Sequence, residues 1–325
     1  WPTWMWANEQ IVDLVEWMRG RGAGFYGLDV YSLYESLDTI KNYVKKLEPS
    51  LERQLLEAYS CFDFFDRNEI QYAKSLAKWP EGCEKEIVSA LRAILRLRLK
   101  EVNLHPSELL DIKQNAKLIR NAELYYRNMM LGGSDSWNVR DNHMMDTLDT
   151  LLQFHGPEAK AIVWAHNTHI GDYHATDMVD DGYINLGGLA RERYGADEVA
   201  LVGLGTYEGE LVAAKAWDAN PKKTPLPQAA EGSFEAYFHK ACKKLNTEKL
   251  YIMMDNEPDL NLKKGHRAVG VVYDPVFENS RKNYVPTKLA KRYDHFIFVD
   301  KTTALKIFAK KAKHGQIPET WPIGV

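Results

Sequence analysis

Apolar positions recur along this chain with two different periods, and the change falls near residue 160. Asn8 can cap a helix in which Ile11, Leu14, Val15 and Met18 recur at i, i+3, i+4 and i+7, and the run Gly20-Arg21-Gly22-Ala23-Gly24 ends it. Phe25-Tyr26-Gly27-Leu28 reads as a short strand with Asp29 at its carboxyl end. From about Ser36 to Leu152 the period is almost purely helical. Leu37, Ile40, Val44 and Leu47 form one stripe, and Leu51, Leu55 and Tyr59 form another after Pro49. Further stripes carry Ile87, Leu91, Ile94 and Leu95, then Met144, Met145, Leu148, Leu151 and Leu152. Residues 36–152 are therefore expected to be a large helical insertion.

Beyond residue 160 short apolar runs take over. Ala161-Ile162-Val163-Trp164-Ala165 is expected as a strand buried on both faces. Asn185 caps a helix through Leu186, Leu189 and Ala190, closed by Gly195, and Val199–Leu204 is the next strand. That order is a βαβ unit with parallel strands and a right-handed crossover. More strands are expected at Leu211–Ala216, Leu250–Met254, Val269–Tyr273 and Phe296–Val299, with Pro221–Pro227 as a surface linker. The fold class is α/β: one domain over residues 1–325, with a mostly parallel sheet flanked by helices and the helical insertion at about 36–152.

Composition narrows the function classes. The net charge is −3 and the pI about 6.4, so no global basic field exists for nucleic acid; the basic runs Arg92–Lys100 and Lys306–Lys313 read as solvated helix faces. Three widely spaced cysteines, Cys61, Cys83 and Cys242, make no disulfide framework and no CxxC pair, which favours a reducing, cytoplasmic setting. No apolar run approaches the ~20 residues that span a bilayer. The start has no signal-peptide pattern and no initiator Met, as if the chain began inside a longer protein. Trp4, Trp6, Trp17 and Tyr26 read as core.

Candidate chemistry lies at the strand ends, where open parallel sheets bind ligands. Asp29 follows the first strand, His166-Asn167-Thr168-His169 the second, and Thr206-Tyr207-Glu208 the third. A single histidine in such a place more often hydrogen-bonds a loop. Two leaving one strand tip favour proton transfer near neutral pH. A zinc reading competes, because His166, His169, Asp172 and His174 lie within nine residues. Asn167, however, stands where HExxH needs its glutamate, so no metal is expected. Gly203–Gly209 resembles a dinucleotide loop, but its third glycine is one residue late and a strand follows, so it reads as a turn and no cofactor is expected. Neither a GxSxG elbow nor a P-loop occurs.

The run Val163–Asp172 resembles the WAHNxH signature of the erythromycin esterase family. Similar family pieces stand around it in order: Trp1–Ala7 with Glu16-Trp17, Gly27-Leu28-Asp29 with Tyr31-Ser32, Arg140-Asp141, Asn185–Gly187, Gly203–Gly209, Arg267–Tyr273 and Tyr293-Asp294. The resemblance implies a hydrolase that opens macrolide lactones, linked to antibiotic response and macrolide resistance, and works without a metal. His166 and His169 would then be catalytic, and Asp29, Asn167, Tyr207 and Arg140 would bind a small-molecule ester or lactone. Both histidines are expected to share a cleft with Asp29 and Tyr207. The family's opening GExxHGT segment, which supplies its principal base, is not in this sequence. Its loss implies a poor esterase, and an association through the sheet edge it leaves. A non-catalytic small-molecule-binding relative and a metal-dependent hydrolase using His166, His169 and Asp172 are the alternatives.

Overall fold

The computed structural model describes residues 3–45, 49–97, 104–216, 219–254, 258–280 and 282–308. Trp1 and the ends of both basic runs, 98–100 and 309–313, lie outside the described residues. Two compact units result. One comprises Trp1–Ala23 and Val163–Lys311; the described part of the other is Gly24–Ile162. The opening helix, α1 (Glu9–Arg19), starts as its sequence requires: the Asn8 side chain accepts the Ile11 amide, and Ile11 is buried.

The Gly24–Ile162 unit is helical in every described element from Leu33 to His155: α2 (Leu33–Val44), α3 (Pro49–Tyr59), α4 (Glu69–Ser75), α5 (Glu84–Leu95), α6 (Pro106–Met129) and α7 (Asp135–His155), with a 3-10 turn at Ser60–Phe65. The stripes seen in the sequence form its core: Leu37, Ile40 and Val44 of α2 meet Leu55, Tyr59, Ile87, Ile94, Ile112 and Ile119. A capping box begins α6, with His105 accepting the Ser107 amide, Glu108 accepting the His105 amide, and Pro106 at the first helical position. Cys61 and Cys83 are joined in a disulfide with a Cα–Cα distance of 5.8 Å. This corrects the reading of unpaired cysteines and removes the premise for a reducing compartment. Helix packing, which spacing alone does not reveal, brings the two together. Cys242 is free and buried.

The other unit holds the strands. After α8 (Asn167–Ile170) and α9 (Leu186–Tyr194) come β1 (Val202–Ala213), β2 (Lys222–Leu226), α10 (Phe234–Leu245), β3 (Lys249–Met253), β4 (Lys263–Arg267), α11 (Val276–Asn279), β5 (Tyr284–Lys288), α12 (Leu289–Arg292) and β6 (His295–Thr302). Four strands form a sheet in the order β2-β1-β6-β3, and β4 pairs with β5. Among the described residues β1 and β6 pair in parallel, whereas β2 on β1, β3 on β6 and β4 on β5 are antiparallel. The sheet is therefore mixed, which corrects the mostly parallel expectation. Phe296 and Phe298 of β6 pack with Phe234, Phe238 and Cys242 of α10 into the core. On the opposite face Leu204, Tyr251, Met253 and Ile297 stay exposed.

Several strand expectations need correction. Ala161–Ala165 is in no ladder, and Ile162 is fully exposed. The Asn167 side chain occupies both main-chain groups of Leu204 on the free edge of β1, where a neighbouring strand would bond. Phe25–Leu28 likewise pairs with nothing in a ladder, and of Val269–Tyr273 only Val272 forms a bridge, to Ala214. Gly203–Gly209 is not a turn. It runs inside β1, which passes straight through because Gly209 takes φ +136 where its missing side chain lets the backbone lie against Thr302. The Pro221–Pro227 linker contains β2, an edge strand that tolerates Pro225. No described helix is long and apolar enough to cross a membrane.

Candidate active site

The histidine segment is built by caps. His166 caps the single turn of α8: its Nδ1 accepts the Thr168 amide at 3.3 Å and meets the Thr168 hydroxyl at 2.8 Å. Its Nε2 lies 3.0 Å from the Val269 carbonyl, an acceptor only, so Nε2 carries the ring proton. Burial pushes the His166 pKa down to about 4. The nearby His169 lowers it further, the Val269 carbonyl works against the shift, and Arg292 and His266 add to it. The ring is therefore neutral at pH 7. His169 is buried one turn on, its amide bonded to the His166 carbonyl at 2.8 Å.

Neighbouring elements hold this turn from several sides. Asn185 caps α9 by accepting the Gly188 amide, and its Nδ2 donates to the Thr168 carbonyl at 2.8 Å. Gly187 lets the first turn of α9 lie directly on the Ile170 carbonyl. Fully buried Arg292 donates to the Asn167 carbonyl at 3.1 Å and to the Thr287 hydroxyl at 2.9 Å. Asn167 itself is clamped: Nδ2 donates to the Leu204 carbonyl at 2.6 Å and Oδ1 accepts the Leu204 amide at 3.1 Å.

Behind Asn167 lies a pair that the sequence reading missed. His266 Nδ1 is 2.6 Å from Glu235 Oε1, both side chains are only 1% exposed, and His266 Nε2 is 3.2 Å from Asn167 Nδ2. The Arg267 amide donates to the same Glu235 oxygen at 3.0 Å. The Arg267 guanidinium binds Glu278 at 3.0 Å and the carbonyls of Tyr207 and Pro227 at 2.9 Å each. The available signal was the adjacent His266-Arg267, but it sat in the charged run Lys263–Arg267 that hid β4.

The remaining candidates each have partners of their own. The Tyr207 ring stacks on His239 at 3.8 Å, and His239 Nδ1 is 2.6 Å from Asp300. Within the helical unit, Arg140 grips Asp29 with two bonds of 2.8 and 2.7 Å and lies 4.6 Å from the Tyr31 ring centre. Burial disfavours the Arg140 charge, but Asp29 outweighs it and raises the pKa above the usual arginine value. Asp172 pairs with His174 at 2.9 Å and Arg191 at 3.1 Å. Among the described residues no three His, Cys, Asp or Glu side chains are grouped to hold a metal ion.

Comparison with known proteins agrees with this arrangement of elements. A family model described as erythromycin esterase matches residues 1–302. A succinoglycan biosynthesis protein of known structure is 19% identical with a TM-score of 0.74, covering 94% of this chain and 73% of that one. A protein from Bacillus cereus is 18% identical with a TM-score of 0.72, over 93% and 74% of the two chains. An erythromycin esterase mutant, EreC in its open conformation, is 17% identical with a TM-score of 0.64, over 92% and 73%. At these identities the three structures speak for the fold alone.

Proposed function

Since the chain belongs to the erythromycin esterase family, we propose that it hydrolyses a small ester or lactone, with His166 and His169 serving the proton transfers. Water attacks the carbonyl carbon while His169 takes its proton. The tetrahedral intermediate then expels an alkoxide, which recovers that proton from His169. A lactone yields one hydroxy acid; an open ester yields an acid and an alcohol. Neutral His166 is the electrophile: when substrate binds, its Nε2–H exchanges the Val269 carbonyl for the developing oxyanion, as a neutral imidazole with a depressed pKa can. The observation that carries this reading is the turn His166–His169, in which His169 is buried and the half-buried His166 is held neutral by its surroundings.

We propose that the attack proceeds without a metal, because Nε2 of His166 carries the ring proton and Nδ1 accepts the Thr168 amide, so neither nitrogen offers a free lone pair. Asp29 and Arg140 remain the helical unit's candidate polar contacts for substrate, and Tyr207 the other unit's. A cellular role in macrolide resistance belongs to the same proposal. The engagement of both His166 nitrogens also favours a second reading, a relative that binds such molecules without turning them over. The experiment is a hydrolysis screen over macrolides, simpler lactones and aryl esters, with and without chelator. Chelator-insensitive turnover supports the proposal. Binding without turnover supports the second reading, and turnover abolished by chelator contradicts metal independence.

A further inference from the structure

Asn167 presents its amide in one orientation. Turned over, its oxygen would face the Leu204 carbonyl and its NH2 the Leu204 amide, two repulsive contacts in place of two hydrogen bonds. With Nδ2 fixed towards the Leu204 carbonyl, its second hydrogen points at His266 Nε2, 3.2 Å away. Nε2 must then accept, and the single ring proton sits on Nδ1, which faces Glu235 Oε1 at 2.6 Å. That oxygen also receives the Arg267 amide at 3.0 Å, so it is an acceptor on both sides. From the Asn167 NH2 one hydrogen goes to the Leu204 carbonyl, and the other begins a run of donors through His266 to Glu235. The chain ties α10, β4, α8 and β1 together at the residue between the two histidines of the candidate site.

We propose that Glu235 and His266 are a positioning pair for the proposed hydrolase site. Their fixed tautomer orients the Asn167 amide, the amide pins α8 to the edge of β1, and α8 aims His166 and His169. Neither residue touches substrate; both act through Asn167. The effect on turnover rests on the hydrolase reading, whereas the tautomer does not. Misplacing reacting groups by about 1 Å costs on the order of 10²-fold in rate. His266→Gln should therefore lower kcat about 10- to 100-fold with KM little changed. Glu235→Gln, whose amide oxygen still accepts from Nδ1, should come close to the wild-type rate.

The test uses the full chain with 15N-labelled histidine and long-range proton–nitrogen correlation at neutral pH. Wild-type His266 should show a protonated Nδ1 and a bare Nε2, and a protonated Nε2 would overturn the proposal even if no variant folds. In His266→Gln the ring signals of His166 and His169 should shift while the α5 amides of the helical unit stay in place. Unmoved ring signals would overturn the positioning role. The expected tautomer in a protein that hydrolyses nothing would sink the hydrolase reading and leave the positioning pair standing.

Discussion

Arg267→Met is the substitution with the largest consequence for stability that the site predicts. Arg267 is buried and donates to five oxygens: Glu278, the carbonyls of Thr206, Tyr207 and Pro227, and the Tyr284 hydroxyl. Glu278 is buried too and also accepts from the hydroxyls of Tyr273 at 3.0 Å and Tyr284 at 2.7 Å. Methionine fills much of the same volume but leaves the carboxylate without its cation and the carbonyls without their donor. Breaking a buried pair from one side costs about 3–5 kcal/mol. Glu278→Gln should cost less, since an amide oxygen at the Oε2 position still accepts from Arg267 and Tyr284. In the double variant no buried charge is left alone, so its loss should fall short of the sum of the single losses by about 1–3 kcal/mol. The assay is denaturation of all four proteins, followed by hydrogen exchange at the β1 amides so that the helical unit does not enter. A loss below about 1 kcal/mol in Arg267→Met, or strict additivity, would refute the argument.

Further outcomes follow from the same geometry. A Cβ on Gly187 would sit 2.1 Å from the Ile170 carbonyl oxygen, so Gly187→Ala should cost about 1–3 kcal/mol and move the His169 amide signal; an unchanged spectrum would contradict the close contact. Cys61–Cys83 closes a 22-residue separation, so reduction or Cys83→Ala should destabilise the helical unit by about 3 kcal/mol, and equal melting with and without reductant would count against the bridge. His143 is pushed down to about 4 by burial, against an unfolded value near 6.5. Its contribution is present above about pH 6.5 and lost as the pH falls towards 4, to the extent of about 3 kcal/mol. Wild type minus His143→Gln stability should follow that window; a flat difference would refute it. Asp111, raised to about 6 by burial, titrates with the opposite sign in both proteins and cancels in the difference.

What the sequence made legible was mainly local. Helical stripes such as Leu37-Ile40-Val44 announce themselves because one face must be buried whatever the partner, and Asn8 and Asn185 mark helix starts by their own chemistry. Strands depend on a ladder partner. Ala161–Ala165 had the right composition and no ladder, whereas the charged Lys263–Arg267 had a ladder and the wrong composition. The doublet His166/His169 stood out because polar residues ended an apolar run. Glu235 and His266 did not, because their meeting across 31 positions is created by α10 packing beside β4. Cys61 and Cys83 are hidden for the same reason.

The central claim, that His169 carries the proton in ester hydrolysis, is tested most directly by the single-turnover rate of His169→Asn on the best ester or lactone from the screen. Asparagine keeps hydrogen-bonding capacity at the position but cannot take a proton from water at neutral pH. The account predicts a rate lower by about 10² to 10⁴, the usual share of acid–base catalysis, with substrate binding retained. A variant that turns over as fast as the wild type, with the same folded spectrum, would contradict it.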